Sequence, residues 1–397
     1  MLRAVPLFCF SFAGSVILIC AMLLLPFHSS SVSAFSFIKK VSKECAFSTA
    51  LTAAVEGENL EKLLHPSTFS VDGDSSSIIP YPKSLSPSSI LEFKKCPQSF
   101  LFQYLWKLRQ PTNAVLTKGI MCHSALEKVY DFSPDERTLD NLQNLFRASW
   151  AEQRKQEPYL NLFESIEDER AWGMEGLQLL QNYFEFEDPR QMLRPNPVER
   201  EKWVSAYLSV HPELGITSPS QPSENQNVDE TFLVRGIIDR LDMVPTSKSS
   251  VALRLIDYKS GKAPDLKYSP SMNEKILNES MEQLKIYALL LRESQKGASN
   301  AKNMNLRYLR LFYLTSVQPD RAQVLDYDLG ETQEVRDIEL QSVHQDLTTV
   351  WKDIQALVAT QDPLEFIPCE RKFCYCHKCR KRFVPGTLSE PEPKALM

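Results

Sequence analysis

The chain has 397 residues and a formal net charge of −5, and 43% of its residues are hydrophobic. This globular composition excludes collagen-like, coiled-coil and wholly disordered chains, and the slightly acidic balance excludes a uniformly basic nucleic-acid coat, although not a local basic groove. Glycine is scarce, at 12 residues, and no Gly-rich phosphate loop is visible, which argues against P-loop and Rossmann chemistry.

The N-terminal end has the pattern of a signal peptide. Residues 4–38 contain no Lys, Arg, Asp or Glu, and residues 16–27 are almost purely apolar. Small residues around Ala34 then supply a cleavage site, so we predict a signal peptide over residues 1–34. A membrane anchor is the alternative, because the apolar region is long enough to span a bilayer.

The segment that follows is Ser-rich and poor in acidic residues, which is typical of a transit peptide. We interpret residues 35–84 as a transit peptide and a linker interrupted by proline. A signal peptide followed by such a segment resembles the bipartite plastid presequence of algae with secondary plastids. The resemblance implies a plastid protein with no membrane attachment when mature, and the secretory pathway or a membrane anchor is the alternative.

From about residue 85 the pattern predicts an α/β domain that ends near residue 382, before a disordered tail over 383–397. Its helical part includes an insertion over about 125–195, and a polar insertion at 211–230 separates the first two strands. The predicted helices are 88–106, 119–131, several within 137–187, 273–294 and 333–359, and the predicted strands are 198–210, 231–244, 251–258, 306–315 and 323–329.

Two predicted strands end in carboxylates. Asp239 and Asp257 each interrupt an apolar run. A carboxylate in such a place is costly to desolvate, and two of them on neighbouring strands repel each other. A divalent cation removes both problems, and oxygen ligands suit Mg²⁺ or Mn²⁺.

Lys259 lies two residues after Asp257, so on a strand both side chains project to one face. An amine beside a metal can orient a water and stabilise the charge that develops on a phosphate. The alternative is a simple strand-end salt pair, which is common and contributes little.

These strands resemble the PD-(D/E)XK nuclease superfamily, in its RecB-type and AddB-type exonuclease branch. The resemblance covers residues 85–382 and rests on five ordered motifs. They are the opening helix with Cys96-Pro97, Gly119-x-x-x-His123, Gly236-x-x-Asp239, Asp257-x-Lys259 and Gln283-x-x-x-Tyr287.

The resemblance implies a restriction-endonuclease-like mixed sheet flanked by helices. It also implies a Mg²⁺- or Mn²⁺-dependent DNA nuclease that leaves 5′-phosphate and 3′-hydroxyl ends. The implied roles are metal ligation by His123, Asp239, Asp257 and the Tyr258 carbonyl oxygen, catalysis by Lys259, and DNA contact by Gln283 and Tyr287.

The implied setting is organellar DNA repair, recombination or degradation, with any helicase or repair factor as a separate partner. Two alternatives stay open: a catalytically silent DNA-binding module with the same fold, and a nuclease that acts on RNA.

Four of the nine cysteines fall within residues 369–379, a density typical of a metal or iron–sulfur site. The resemblance implies a [4Fe–4S] cluster that joins the two ends of the domain, with Cys369 as a spare or substitute ligand. A structural Zn²⁺ held by the four C-terminal cysteines, with or without His377, is the alternative. The ligands implied for the cluster are Cys96, Cys374, Cys376 and Cys379.

Overall fold

The computed structural model describes residues 79–108, 110–191, 197–212, 230–246, 250–295, 305–383 and 388. The predicted signal peptide and nearly all of the predicted transit peptide and linker lie outside these residues. So do most of the polar insertion and most of the C-terminal tail. Among the helices of the described part, none is both long and apolar enough to cross a membrane.

The helices are α1 Pro87–Lys95, α2 Pro97–Phe100, α3 Ala114–Lys128, α4 Leu139–Gln153, α5 Ile166–Glu187, α6 Pro270–Gln295, α7 Gln333–Ala359 and α8 Tyr375–Arg380. A π-helical turn covers Leu101–Leu105, and short 3-10 turns cover Val129–Asp131, Pro134–Glu136, Pro189–Gln191 and Pro363–Glu365. The strands are β1 Glu199–Ser209, β2 Thr231–Pro245, β3 Val251–Lys262, β4 Leu306–Thr315 and β5 Gln323–Asp328.

The five strands form one mixed sheet in the order β1-β2-β3-β4-β5. The parallel pair is β3 and β4, and α6 makes the crossover between them, because parallel neighbours need a long connection. All other neighbouring strands are antiparallel. The predicted mixed sheet flanked by helices is therefore confirmed.

Helices cover both faces of the central strand, which explains its nearly continuous apolar sequence. Alternate residues of β3 enter two different cores. Leu255 packs in a layer with α1, α6 and α7, whereas Ile256 and Tyr258 pack against α3, α4 and α5. The helical insertion therefore forms the second layer.

The region predicted as a single helix over 88–106 is broken. α1 ends at Lys95, Cys96 adopts an extended conformation, and α2 begins at Pro97. Proline lacks an N–H and disfavours a helical residue before it, so the helix stops at this point. The break leaves the Cys96 thiol at the start of α2, where it accepts the Ser99 N–H.

A glycine lets three elements meet beside the carboxylates. A Cβ atom on Gly236 would lie 2.6 Å from Cε1 of Tyr287 on α6 and 3.2 Å from Cδ of Pro87 on α1. Only hydrogen fits this space. Gly236 thus allows α1 and α6 to pack directly on β2.

We expect Gly236→Ala to lower the free energy of unfolding by about 1–3 kcal/mol, because the methyl group displaces Tyr287. Gly173→Ala is the matched control. It meets no atom within 4 Å on α5, so it should raise stability by about 0.5–1 kcal/mol. Urea unfolding of both variants measures this, and equal effects would contradict the packing described above.

Candidate active site

The two predicted carboxylates lie where β2 and β3 separate. The pairing of these strands reaches only to Arg240 and Ile256. Beyond that point Leu85 pairs with β2 instead, and the Asp239 side chain fills the gap between the strands. Its Oδ2 accepts the Tyr258 N–H at 2.8 Å. Asp239 is therefore fixed by the strand that carries Asp257.

His123 reaches the same place from α3. The helix approaches β3 closely because Gly119 lies against Ser260, where a Cβ atom would be 2.9 Å from Oγ. The His123 Nε2 lies 2.9 Å from the Tyr258 carbonyl oxygen and donates to it, while Nδ1 lies 3.4 Å from Asp239 Oδ2. In this orientation Nδ1 faces the carboxylates, where it could serve as a metal ligand.

Lys259 bridges the carboxylates and α6. Its Nζ lies 2.5 Å from Asp257 Oδ2 and donates to Gln283 Oε1 at 2.9 Å. Tyr287, one helical turn further along α6, borders the same cleft as Gln283. The structure therefore places the residues predicted for the nuclease site in one cleft, and shows Gln283 as a partner of the lysine.

Glu201 is a site residue that sequence reasoning missed. It stands opposite Asp239, because the residues on either side of it pair with Arg240 and Ile238. Ligand atoms of Glu201, His123 and Asp239 all lie within 4.8 Å of one another. The sequence did show a carboxylate in the predicted strand β1. Recognising it as a site residue required knowing how β1 pairs with β2.

The backbone of Glu201 has a positive φ of 43°, a conformation that non-glycine residues seldom adopt. Strain of this kind persists only where surrounding structure holds it, and it is concentrated at functional sites. The unusual backbone conformation in β1 thus falls at the residue that faces the other carboxylates.

The carboxylates repel one another. Burial and the neighbouring Asp239 raise the pKa of Glu201 to about 7. Burial and Asp257 raise the pKa of Asp239 to about 6, although His123, the Tyr258 N–H and Lys259 oppose the rise. Asp257 Oδ2 is buried and accepts no aligned hydrogen bond. The crowded carboxylate oxygens and one imidazole nitrogen form a set of ligands that suits a hard divalent cation.

A buried arginine supports the site from behind. Arg240 is 1% exposed and donates to Tyr258 Oη at 2.6 Å. It also binds both carboxylate oxygens of Glu187 on α5 at 2.9 Å and Asp242 at 2.8 Å. Arg240 therefore fixes Tyr258, whose backbone contacts both His123 and Asp239.

The carboxylates, His123 and Lys259 line an open cleft of about 770 Å³. The α3 side of this cleft carries Val115, Leu116 and Ile120, which are 70%, 52% and 43% exposed, beside the polar Asn113, Ser124 and Glu127. The opposite side carries Gln283 and Tyr287. A cleft of this size has room for a nucleotide and its neighbours.

Four thiols meet at a separate place. The sulfur atoms of Cys96, Cys369, Cys374 and Cys376 all lie within 4.8 Å of one another. Cys379, which was implied as the fourth ligand, is buried but is outside this group. Cys369, the substitute, takes its place, because Cys379 lies on α8 one turn beyond Cys376.

The surroundings shift the pKa values of these thiols in opposite directions. Cys96 Sγ accepts the N–H groups of Ser99 and Cys369, each at 3.4 Å. Burial raises the pKa of Cys96 and Cys376. For Cys369, hydrogen bonds led by the Arg371 N–H outweigh burial and lower the pKa to about 6. A bound metal would hold the buried thiols as thiolates.

The part of the chain that carries both sites matches a known protein family. The sequence profile of the PD-(D/E)XK nuclease superfamily matches residues 84–384. No curated protein is significantly similar to the chain. The solved structure described as "Crystal structure of SSO0001" aligns with 78% of this chain and 88% of its own, at 12% identity and a TM-score of 0.28. A likeness at that score supports no conclusion.

We expect Mn²⁺ to raise the melting temperature of the protein, because it binds only the folded arrangement of carboxylates. A 100-fold excess over Kd adds about 2.7 kcal/mol. Asp239→Asn should lose this gain while its metal-free protein stays at least as stable as wild type. Differential scanning fluorimetry measures both effects.

The control is Glu164→Gln, which removes an exposed carboxylate on the helical insertion and should keep the full gain. An equal gain in Asp239→Asn and wild type would show that the cation binds elsewhere.

Proposed function

The chain belongs to the PD-(D/E)XK nuclease superfamily, and on this premise we propose that it is a metal-dependent deoxyribonuclease of the RecB type. One observation carries the proposal. Ligand atoms of His123, Glu201 and Asp239 lie within 4.8 Å of one another, and the Asp257–Lys259 pair lines the same cleft where β2 and β3 separate. A protein that only binds DNA has no need for this combination.

The residues that would hold Mg²⁺ or Mn²⁺ are Asp239, Asp257 and His123, with Glu201 as an additional ligand. The Tyr258 carbonyl oxygen accepts a hydrogen bond from His123 Nε2, and its second lone pair could bind the cation. When bound, such a cation polarises the phosphate and lowers the pKa of a water. The carboxylates can then remain ionised together without repulsion.

Lys259 is the positively charged residue of the site. Asp257 and Gln283 hold its ammonium group from two sides. From there it can donate to the attacking water or to a phosphate oxygen that gains charge in the transition state. Gln283 and Tyr287 border the same cleft, where we propose that they position the strand beside the cleaved bond.

Hydrolysis of this kind leaves 5′-phosphate and 3′-hydroxyl ends. A catalytically silent DNA-binding module is the second candidate, and action on RNA is the third. No contact in the described residues favours either over DNA cleavage.

For the thiol cluster we propose a [4Fe–4S] centre held by Cys96, Cys369, Cys374 and Cys376, which would join α1 to the C-terminal segment. The family resemblance supports iron. Structural Zn²⁺ is the second candidate, because sulfur atoms at the corners of a zinc tetrahedron lie about 3.8 Å apart. The observed limit of 4.8 Å is near that spacing.

We further propose that the protein acts on plastid DNA in repair, recombination or degradation, and that a separate helicase or repair factor supplies unwinding. The support is the N-terminal sequence pattern, together with the absence of any helicase motif in this sequence.

We expect the full chain to cleave end-labelled DNA only with Mg²⁺ or Mn²⁺. Asp257→Asn and Lys259→Ala should each lower kcat by about 10²–10³-fold, because each removes a group that stabilises charge in the transition state. Lys262→Ala is the matched control, since this exposed lysine lies three residues further along β3. Equal, metal-independent activity in all four proteins would contradict the proposal.

For the second site, anaerobically purified protein should be brown and contain stoichiometric iron. Cys369→Ser should lose the metal, because Cys369 belongs to the thiol group, whereas Cys379→Ala should keep it. Elemental analysis measures iron and zinc in each variant. Colourless protein that contains one zinc ion would favour structural Zn²⁺ over the iron–sulfur cluster. Loss of metal in Cys379→Ala alone would contradict the proposed set of cysteine ligands.

A further inference from the structure

In the described part of the chain, one face of the β1–β2 pair is largely exposed. Val204, Ala206 and Leu208 of β1 are buried in the core layer with α6 and α7. Trp203, on the opposite face, is 52% exposed. Within the described part of the chain, no other ring or cation stacks on its indole. A large flat apolar side chain is thus presented to solvent from a rigid strand.

The strand register connects this face to the active site. Trp203 pairs with Ile237, and Ser205 pairs with Arg235. Glu201 precedes Trp203 by two residues, and Asp239 follows Ile237 by two residues, a spacing of about 7 Å along a strand. The exposed indole therefore lies one step along the strands from the carboxylates that would bind the metal.

Arg235 extends the same face. It is exposed, and it forms no ion pair with any other described residue. Its position opposite Ser205 puts a guanidinium group one further step from the carboxylates. An arginine that is not neutralised by a carboxylate is free to contact a phosphate.

A flat indole followed by a cation fits unpaired bases on a phosphate backbone. Every base has a face that can stack on an aromatic ring, and Arg contacts add to this binding. In a duplex, both faces of each base are already covered by neighbouring bases. The exposed apolar side chains on the α3 side of the cleft, Val115, Leu116 and Ile120, also suit unpaired bases better than a charged duplex surface.

We propose that Trp203 is a base-stacking residue and Arg235 a phosphate contact, and that together they hold single-stranded DNA next to the scissile phosphate. This inference rests on the proposed function and specifies its substrate. It predicts a preference for single-stranded DNA or for frayed ends.

The test is binding of fluorescein-labelled single-stranded and duplex DNA of equal length to the full chain, measured by anisotropy in a Lys259→Ala background that slows cleavage, with Ca²⁺ in place of Mg²⁺. Trp203→Leu should weaken single-strand binding about tenfold or more and leave duplex binding nearly unchanged. Trp203→Phe should restore most of the affinity, because a phenyl ring still stacks.

Arg235→Gln should weaken single-strand binding and reduce its salt dependence by about one ion, as expected for a single phosphate contact. Tyr81→Leu is the control. Tyr81 is 53% exposed, like Trp203, and is not part of the β1–β2 face, so its loss should change neither affinity. Equal losses for single strand and duplex, or no loss in Trp203→Leu, would overturn the inference.

The result separates this inference from the proposed function. If wild type cleaves no DNA but Trp203→Leu selectively loses single-strand binding, the stacking face stands and the nuclease proposal fails. If wild type cleaves DNA with metal but Trp203→Leu binds both DNAs normally, the stacking inference is wrong. A change from dimer to monomer in Trp203→Leu without a selective loss would assign the face to a second copy of the chain.

Discussion

The mutual repulsion of carboxylates where β2 and β3 separate is the constraint on which the rest of the structure depends. Asp239 and Asp257 come from adjacent strands, and Glu201 faces Asp239 from the third. In the core of a protein such a group is costly unless cations are near it. Lys259 offsets one negative charge, which leaves a requirement for further positive charge that a divalent cation meets.

Both helical layers hold these carboxylates in place. On one side, α6 contributes Gln283 to the lysine and packs Tyr287 against Gly236. On the other, Glu187 of α5 holds Arg240, which fixes Tyr258 between His123 and Asp239. The helical insertion therefore has a defined role, because it braces the strands from which the ligands project.

The sequence predicted the groups whose chemistry stands out locally. Asp239 and Asp257 interrupt apolar runs, and Lys259 follows with strand spacing, so the sheet and the core of the site could be inferred. Glu201 could not be inferred, because its position opposite Asp239 depends on the register between β1 and β2, which a long connection separates in the sequence. Nor could the place of Arg240, because only tertiary packing shows that it is buried among three tyrosines.

The cysteines illustrate the same limit. Their density indicated a metal site, but the choice between Cys369 and Cys379 depends on how the chain turns before α8. The break at Pro97, which sets the position of Cys96, was likewise hidden by the helical spacing of the surrounding residues. Local pattern predicted the elements and the chemistry, whereas register and helix breaks decided which side chains meet.

The most direct test of a cation between the carboxylates is anomalous scattering from crystals of the full chain soaked in Mn²⁺. We predict a peak at the separation of β2 and β3 with oxygen atoms of Asp239 and Asp257 at about 2.0–2.3 Å. The Asp257–Lys259 contact should lengthen as Asp257 turns to the cation. An empty site at saturating Mn²⁺, with that contact intact, would contradict the account.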